Sequence, residues 1–310
     1  MHNRNALLFL AALAAYLVPA HNASAQNLFV TNVSNNTIHQ FSPTGVDLGT
    51  FASTGLSNPN GLAFNSNGDL FVANNANHTI HKFSSIGVDL GTFATVTAPG
   101  GAQLRGLTIS SNGNIFVADN NSFDGIHQFS ATGVDLGIFA NSASGVSLAE
   151  DLAFNSSGDL FVANFGNSTI HRYSSTGANL GTFASTGVNL PVGLAFNSSG
   201  DLFVANLATA TINRFSPTGA DLGIFASTGS NGLNGLAFDR SDNLFVTGNN
   251  TIHEYSPTGA DLGIFAASGL NGPQFLAFRP GPAATPEPGS IALLVGLLAS
   301  GSVFAARRRR

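Results

Sequence analysis

The chain has 310 residues, of which 43% are hydrophobic and only 9% are charged, with 36 glycines, 26 phenylalanines and no cysteine. The lack of cysteine excludes thiol nucleophiles, thiolate zinc sites and iron–sulfur clusters. Between Asn27 and Arg279, six basic and fifteen acidic residues leave a net charge of about −9, which argues against nucleic acid and anionic lipid as partners.

Residues 1–25 have the pattern of a secretory signal peptide. A short basic start precedes an apolar run from Ala6 to Val18, and the small residues Ala23 and Ala25 form a cleavage site. We expect signal peptidase to cut before Gln26. The alternative is an uncleaved membrane anchor, although the apolar run is short for a membrane span.

From residue 27, a motif typified by Asp-Leu-Phe-Val-Ala-Asn returns six times. Its central phenylalanines are spaced 42, 45, 45, 42 and 42 residues apart: Phe29, Phe71, Phe116, Phe161, Phe203 and Phe245. A period of about 40–45 residues made of short strands is typical of a β-propeller blade. Each period contains four segments of strand type, which we call a (Gly-Leu-Ala-Phe), b (Phe-Val-Ala-Asn), c (Thr-Ile-His) and d (Asp-Leu-Gly-Thr-Phe). We predict 24 strands, with both faces of each strand buried between neighbouring blades.

Turn residues separate these strands. Asn65–Gly68 and its copies join strands a and b, where glycine supplies the positive φ of a tight turn. Ser42–Gly45 and its copies join strands c and d, where Pro43 sets the turn conformation.

The two ends of the repeated region complement each other. The first copy begins at strand b, and the last copy is followed by an extra strand a that ends in Leu276-Ala277-Phe278. Pairing the two would complete one blade and remove the open edges of the array. We therefore predict an all-β, six-bladed propeller over residues 27–279, in which the first blade is shared by both chain ends.

Three segments of the second repeat resemble the NHL repeat: Gly61–Phe64, Asn67–Asn74 and Asn77–Ile80. The resemblance extends from Asn27 to Phe278. Phenylalanine replaces the usual valine of strand a, and Thr79 stands where the family usually has arginine. The resemblance implies a six-bladed propeller but no single activity, because one fold hosts many functions.

The residue that precedes each strand a should lie at one mouth of the central channel. In chain order these residues are Asn60, Arg105, Glu150, Val192, Asn234 and Gln274, and Asp151 adds a second carboxylate. The ligand-binding set predicted here is Asn60, Arg105, Glu150, Asp151, Asn234 and Gln274, with no catalytic residue. The longer connections 95–105 and 140–150 border the same mouth, which indicates either a binding face or neutral variation of surface loops.

Glu150 and the Pro59-Asn60-Gly61 and Leu233-Asn234-Gly235 segments resemble the metal ring of the gluconolactonase/regucalcin family. The resemblance implies a divalent cation held by oxygen ligands, such as calcium, and hydrolysis of lactones or small esters. Arg105 departs from it, because it would repel a cation or pair with Glu150, and Val192 has no ligand atom. We predict no metal and no cofactor, with calcium as the alternative.

A second repeated set lies on strand c, where His39, His81, His127, His171 and His253 share one position with Asn213. These positions are too far apart around a ring to bind one metal ion, so we predict local hydrogen bonds. The aspartates of strand d return in most blades and are predicted to bond to turns. A unique catalytic residue should stand out from the repeat, and only Arg105, Asp124, Glu150 and Asp151 do so.

The C-terminus combines a linker (280–289), an apolar stretch (290–306) and a basic tail (307–310). The apolar stretch is near the lower length limit of a membrane-spanning helix, and the arginines would stay in the cytoplasm. This order is similar to the PEP-CTERM sorting signal of Gram-negative bacteria, which implies cleavage by an exosortase. A plain tail anchor is the alternative. The sorting residues are Pro286, Glu287, Pro288, Arg307, Arg308, Arg309 and Arg310.

Together these patterns predict an exported protein, first anchored in the inner membrane and then located at the cell surface or outside the cell. The expected role is a binding or scaffold module of the extracellular matrix. The expected partners are exopolysaccharide or a surface protein, besides signal peptidase and exosortase, while the membrane is contacted only through the C-terminal helix before processing. The alternatives are a metal-dependent lactonase or esterase and a passive spacer for the sorting signal.

Overall fold

A computed structural model describes residues 26–98, 100–121, 125–229 and 232–280. In this part of the chain there are 24 strands: β1 (Leu28–Asn32), β2 (Thr37–Phe41), β3 (Asp47–Ala52), β4 (Pro59–Phe64), β5 (Leu70–Asn74), β6 (Thr79–Phe83), β7 (Asp89–Thr95), β8 (Leu104–Ile109), β9 (Ile115–Asp119), β10 (Gly125–Phe129), β11 (Asp135–Asn141), β12 (Ala149–Phe154), β13 (Leu160–Asn164), β14 (Thr169–Tyr173), β15 (Asn179–Ala184), β16 (Pro191–Phe196), β17 (Leu202–Asn206), β18 (Thr211–Phe215), β19 (Asp221–Ser227), β20 (Leu236–Phe238), β21 (Leu244–Gly248), β22 (Thr251–Tyr255), β23 (Asp261–Ala266) and β24 (Pro273–Phe278). One 3₁₀ turn, Ser142–Ser144, precedes β12.

The strands form six antiparallel sheets of four strands each, which are the blades of a propeller. Blade 1 has the order β24-β1-β2-β3, and blades 2 to 6 follow in chain order as β4–β7, β8–β11, β12–β15, β16–β19 and β20–β23. The a strands of neighbouring blades contact one another around the ring, so they lie innermost. The prediction of an all-β propeller with six blades is confirmed.

The two ends of the chain meet in blade 1. Leu28 pairs with Phe278 and Val30 pairs with Leu276, in antiparallel register. The Gln26 side chain donates a hydrogen bond of 2.6 Å to the carbonyl of Arg279, whose own N–H donates to the Asn27 carbonyl. The predicted sharing of the first blade between both chain ends is therefore confirmed.

The turns have the predicted chemistry. Gly45 and Gly68 have φ values of 79° and 81°, which glycine adopts without strain. In the a–b turn, the Asn65 carboxamide oxygen accepts hydrogen bonds from the N–H groups of Asn67 and Asp69. These local bonds hold each hairpin in one register.

A cluster of three aromatic rings joins each blade to the next at most junctions. The phenylalanine of strand b packs edge-on against one ring of its own strand d and one ring of the next strand a. Between blades 4 and 5 these are Phe161, Phe183 and Phe196, whose ring centroids lie 4.8 and 4.9 Å from Phe161. Edge-to-face pairs add roughly 0.5–1.5 kcal/mol to the gain from burial. Between blades 2 and 3, Ile109 replaces the third ring.

We expect Phe161→Ala to lower the free energy of unfolding by about 3–5 kcal/mol, because it leaves a cavity in a buried three-ring cluster. Phe196→Ile copies the side chain found at the junction of blades 2 and 3, and its cost should be about 1.5 kcal/mol or less. Urea unfolding of both variants measures the two losses. Equal losses of unfolding free energy in the two variants would show that the ring cluster does not stabilise the contact between blades.

The outermost strands differ from the sequence prediction, because their outward faces are not buried. Leucines at the second position of strand d are about half exposed in every blade: Leu48, Leu90, Leu136, Leu180, Leu222 and Leu262. Strand d has no neighbouring strand on its outer side, so blade stacking covers only its inward residues, such as Phe51 and Ala52. The strand-d aspartates bond to turns as predicted, and the Asp47 carboxylate accepts from the Gly49 N–H at 2.8 Å.

Among the described residues there is no helix long and apolar enough to cross a membrane. The predicted signal peptide (1–25), most of the linker, the C-terminal apolar stretch (290–306) and the basic tail lie outside the described residues, as does Asp124. These assignments remain predictions from sequence.

Candidate functional site

The starts of the six inner strands lie side by side because glycine allows close contact there. A Cβ atom added to Gly61 would lie 2.4 Å from the Arg105 carbonyl oxygen, and one added to Gly106 would lie 2.4 Å from the Asp151 carboxylate. At Gly61 and Gly106 a larger residue would therefore push the neighbouring strand away. The glycine of the Gly-Leu-Ala-Phe motif therefore brings the predicted mouth residues together.

Two threonines close the ring where blades 6, 1 and 2 meet. Thr31 donates a hydrogen bond of 2.8 Å to the Asn60 carbonyl and accepts one from the Phe275 N–H. Thr247 accepts from the Gly235 N–H and donates to the Gln274 carbonyl. The four other blades have alanine at this strand-b position. Sequence analysis did not identify these threonines, although the change from Val-Ala-Asn to Val-Thr was visible.

Arg105 and Glu150 form an ion pair at the mouth. The Arg105 Nε atom lies 3.5 Å from Glu150 Oε2, and the Asn120 side chain donates to Glu150 Oε1 at 2.8 Å. Burial raises the pKa of Glu150, while the charge of Arg105 acts in the opposite direction. Asn120, which sequence analysis did not single out, is the third member of this cluster. Both oxygens of the Glu150 carboxylate thus face protein donors.

Asp151 is buried in the inner ring at the position where four other blades have glycine. One carboxylate oxygen accepts from its neighbour Leu152 N–H, and the other accepts from the Leu194 N–H of blade 5, both at 2.8 Å. Burial raises the pKa of Asp151 from 3.8 to about 7, although these two hydrogen bonds lower it. Asp151 therefore connects blades 4 and 5 instead of facing the solvent.

Two further mouth residues, Asn60 and Asn234, are also held by protein atoms. Asn60 is 1% exposed, and its amide donates to Asn58. Asn234 donates to the Pro273 carbonyl at 3.1 Å, and Val192 is buried. Within the described ranges, no three His, Asp or Glu side chains are grouped closely enough to hold a metal ion. The ring is thus a polar surface in which Arg105 and Glu150 are the most accessible charges.

Two of the five strand-c histidines, His39 and His81, form the predicted local hydrogen bonds, whereas buried ring nitrogens of His127, His171 and His253 have no hydrogen-bond partner among the described residues. His81 Nε2 lies 2.6 Å from Asp89 Oδ1 in the same blade, and its hydrogen bond lowers the pKa of Asp89. His39 contacts Asp47 in the same way at 3.3 Å. Burial lowers the pKa of His171, whose strand-d neighbour is the neutral Asn179.

One family comparison agrees with this geometry. Residues 56–83 match the NHL repeat. The match covers β4, β5 and β6, so the NHL resemblance of these residues is confirmed. No curated protein matches the sequence.

Several solved structures share the fold. A chain from the crystal structure of a nidogen/laminin complex has a TM-score of 0.70 at 14% identity, covering 83% of this chain and 100% of its own. Streptogramin B lyase has a TM-score of 0.61 at 18% identity, with 82% and 90% covered. A putative gluconolactonase has a TM-score of 0.57 at 15% identity, with 70% and 80% covered. At these identities the likeness concerns the fold.

Proposed function

We propose that this protein is an exported six-bladed propeller that acts as a binding or scaffold module in the extracellular matrix of a Gram-negative bacterium. The main support is that the two carboxylates at the channel mouth are already bonded to protein groups. Glu150 is paired with Arg105 and Asn120, and Asp151 is bonded to two backbone N–H groups. Carboxylates held in this way shape a fixed surface and are poorly placed to bind a metal or activate water.

Three further points support this role. The signal-peptide pattern of residues 1–25 and the PEP-CTERM-like tail fit export and surface sorting. The closed ring gives a rigid body without disulfides. A similar structure comes from a nidogen/laminin complex, so this fold occurs in a complex between proteins.

Mass spectrometry of the protein from its native cell surface tests this proposal. The mature chain should begin at Gln26 and lack Arg307–Arg310. Glu287→Ala, in the Pro-Glu-Pro motif, should keep the protein in the membrane fraction, whereas Glu254→Ala should be sorted normally. A surface protein that retains all four arginines would contradict the sorting step.

A metal-dependent lactonase is the second candidate, favoured by the fold likeness to a putative gluconolactonase and by Glu150 beside the inner-strand starts. It predicts that calcium raises the melting temperature and that Glu150→Ala removes the effect. Because Arg105 and Asn120 already occupy the carboxylate, we expect no calcium shift in the native protein. A shift that EDTA reverses and Glu150→Ala abolishes would favour the enzyme.

A further inference from the structure

The repeat places a cation over the strand-b phenylalanine at four of the six junctions between blades. Lys82 lies 5.4 Å from the Phe71 ring centroid, and Arg172 and Arg214 each lie 5.7 Å from theirs, on Phe161 and Phe203. Between blades 1 and 2, Arg279 lies over Phe29 at 4.5 Å. These cations cover the aromatic cluster on the face of the disc opposite the channel mouth.

Three of these cations form an ion pair with an aspartate at the same position in each of their blades. Each lies opposite its phenylalanine on strand c and binds the aspartate two residues before that phenylalanine. Arg172, for example, faces Phe161 in register and donates to Asp159 Oδ2 at 3.0 Å. The aspartate and the cation therefore neutralise each other above the rings.

Blade 3 has uncharged residues at both positions. Gln128 faces Phe116 in the register that Arg172 has with Phe161, and Asn114 occupies the aspartate position. Above Phe116 a cavity of about 150 Å³ opens at the junction with blade 4. That volume is roughly five times the share of one water molecule in the liquid. It is comparable to a single sugar ring.

The cavity is uncharged and has both a polar and an apolar side. Phe116 and Phe154 form its apolar side, next to Gln128. The turns 110–112 and 155–156, with Ser175, provide hydroxyl and amide groups at its exposed rim. Among the described residues that line it there is no Asp, Glu, Lys or Arg.

The turn bonds decide which polar groups remain for a ligand. The Asn155 carboxamide oxygen already accepts from the N–H groups of Ser157 and Asp159, at 3.0 and 2.9 Å. The Asn112 oxygen accepts from the Ser110 hydroxyl and the Asn114 N–H. The amide NH₂ groups of Asn112 and Asn155 are left to donate. A donor-rich rim suits ligand oxygens, whereas a cation would need acceptors or a carboxylate.

We propose that this cavity binds one uncharged sugar unit, with its C–H face against Phe154 and its hydroxyl oxygens accepting from the rim amides. The cavity opens at exposed turns, so the unit can belong to a longer polysaccharide. The proposal extends the matrix-binding role to a ligand class and to a face opposite the channel mouth. It does not depend on how the chain ends are processed.

The chain itself supplies the variant that tests the site. Asn114→Asp combined with Gln128→Arg gives blade 3 the Asp–Arg ion pair that blade 4 already has. The arginine side chain should fill the cavity. We expect the double variant to fold and to melt at or above the native temperature. Ser156→Trp, at an exposed rim position, blocks the opening without changing the core. Arg214→Lys keeps the cation at another junction and serves as the control.

Titration by NMR with the methyl glycosides of glucose, galactose and mannose and with N-acetylglucosamine measures binding to the full chain. At least one sugar should bind with a dissociation constant of about 1 mM, weakened roughly tenfold or more by the double variant and by Ser156→Trp, and unchanged by Arg214→Lys. Absence of binding by all four sugars, or binding unaffected by both cavity variants, would overturn the proposal. So would preferential binding of ethylguanidinium, which would indicate a cation site. None of these results alters the mass-spectrometric test of export and sorting.

Discussion

A chain that ends at Ala266 is expected to lose cooperative unfolding, while a chain that ends at Pro280 should unfold like the full-length protein. The shorter chain lacks β24, which supplies the innermost strand of blade 1 and pairs with β1 from Leu28 to Asn32. Phe275, Leu276 and Phe278 pack in the clusters on either side of that blade. Their loss exposes β1 and leaves the ring open.

The size of this effect follows from the number of buried groups removed. Deleting one large buried side chain costs about 2–5 kcal/mol, and a whole domain is stable by only about 5–15 kcal/mol. Removing two such side chains, the partly buried Phe278 and a strand ladder together should exceed the total stability. Thermal unfolding followed by far-ultraviolet circular dichroism, with light scattering for aggregation, distinguishes the two chains. A chain ending at Ala266 that stays monomeric and melts as the longer one does would contradict ring closure as the source of stability.

Asp151→Asn is expected to remove most of the fall in stability that the native protein shows as the pH rises from 4 to 8. Burial raises the pKa of Asp151 from 3.8 to about 7 in the folded state. Between these values the folded state keeps a proton that the unfolded state has lost. Stability therefore decreases as the pH rises toward 7 and is constant above it. The shift corresponds to about 4 kcal/mol.

Urea unfolding at pH 5 and pH 8 measures this difference for the native chain, Asp151→Asn and Asp151→Gly. Glycine is the residue that four other blades have at this position, so it tests the site without adding a new side chain. At pH 5 both variants should be less stable than the native protein, since they lose at least one acceptor for a backbone N–H, which costs about 1–3 kcal/mol. Near pH 8 the difference should shrink or reverse.

Glu150→Gln provides the control, because Glu150 also has a raised pKa but remains paired with Arg105 at the mouth. It should retain most of the native pH dependence. His171, whose pKa is lowered by burial, contributes in the opposite direction below about pH 6.5, and it is present in every variant. An unchanged pH dependence in Asp151→Asn would show that the carboxylate is already ionised in the folded protein.

Much of the fold could be predicted because its determinants are local and repeated. The Phe-Val-Ala-Asn strands, the turn glycines and the half-blade at each end predicted the number of blades and their closure. Burial on the outer strand was mispredicted, since Leu48 and its equivalents are as apolar as core residues. Only the position of strand d at the edge of the sheet leaves them exposed.

The mouth was harder to predict than the fold. Sequence analysis placed Arg105 and Glu150 side by side, because adjacent blades follow the repeat. It could not show that the Asp151 side chain points into the ring, because that orientation depends on a hydrogen bond from the Leu194 N–H of the next blade. The sequence shows Asn114 and Gln128 in blade 3, where the cavity at Phe116 lies. Only the structure shows that blades 2, 4 and 5 have an ion pair at the equivalent positions, so the cavity could not be predicted from the sequence.

The hydrogen bond between Gln26 and Arg279 spans 253 positions of the chain, and this separation determines when the protein can finish folding. In the finished ring every residue of β1 is buried. While the ribosome is still adding residues, β1 lacks the partner strand β24 on one edge. Such an edge can pair with a second nascent chain. Blades 2 to 6 each hold their own four strands and can form in order, but the ring waits for the last strand. For the exported chain that we propose, the last step of folding therefore waits until the whole polypeptide is available.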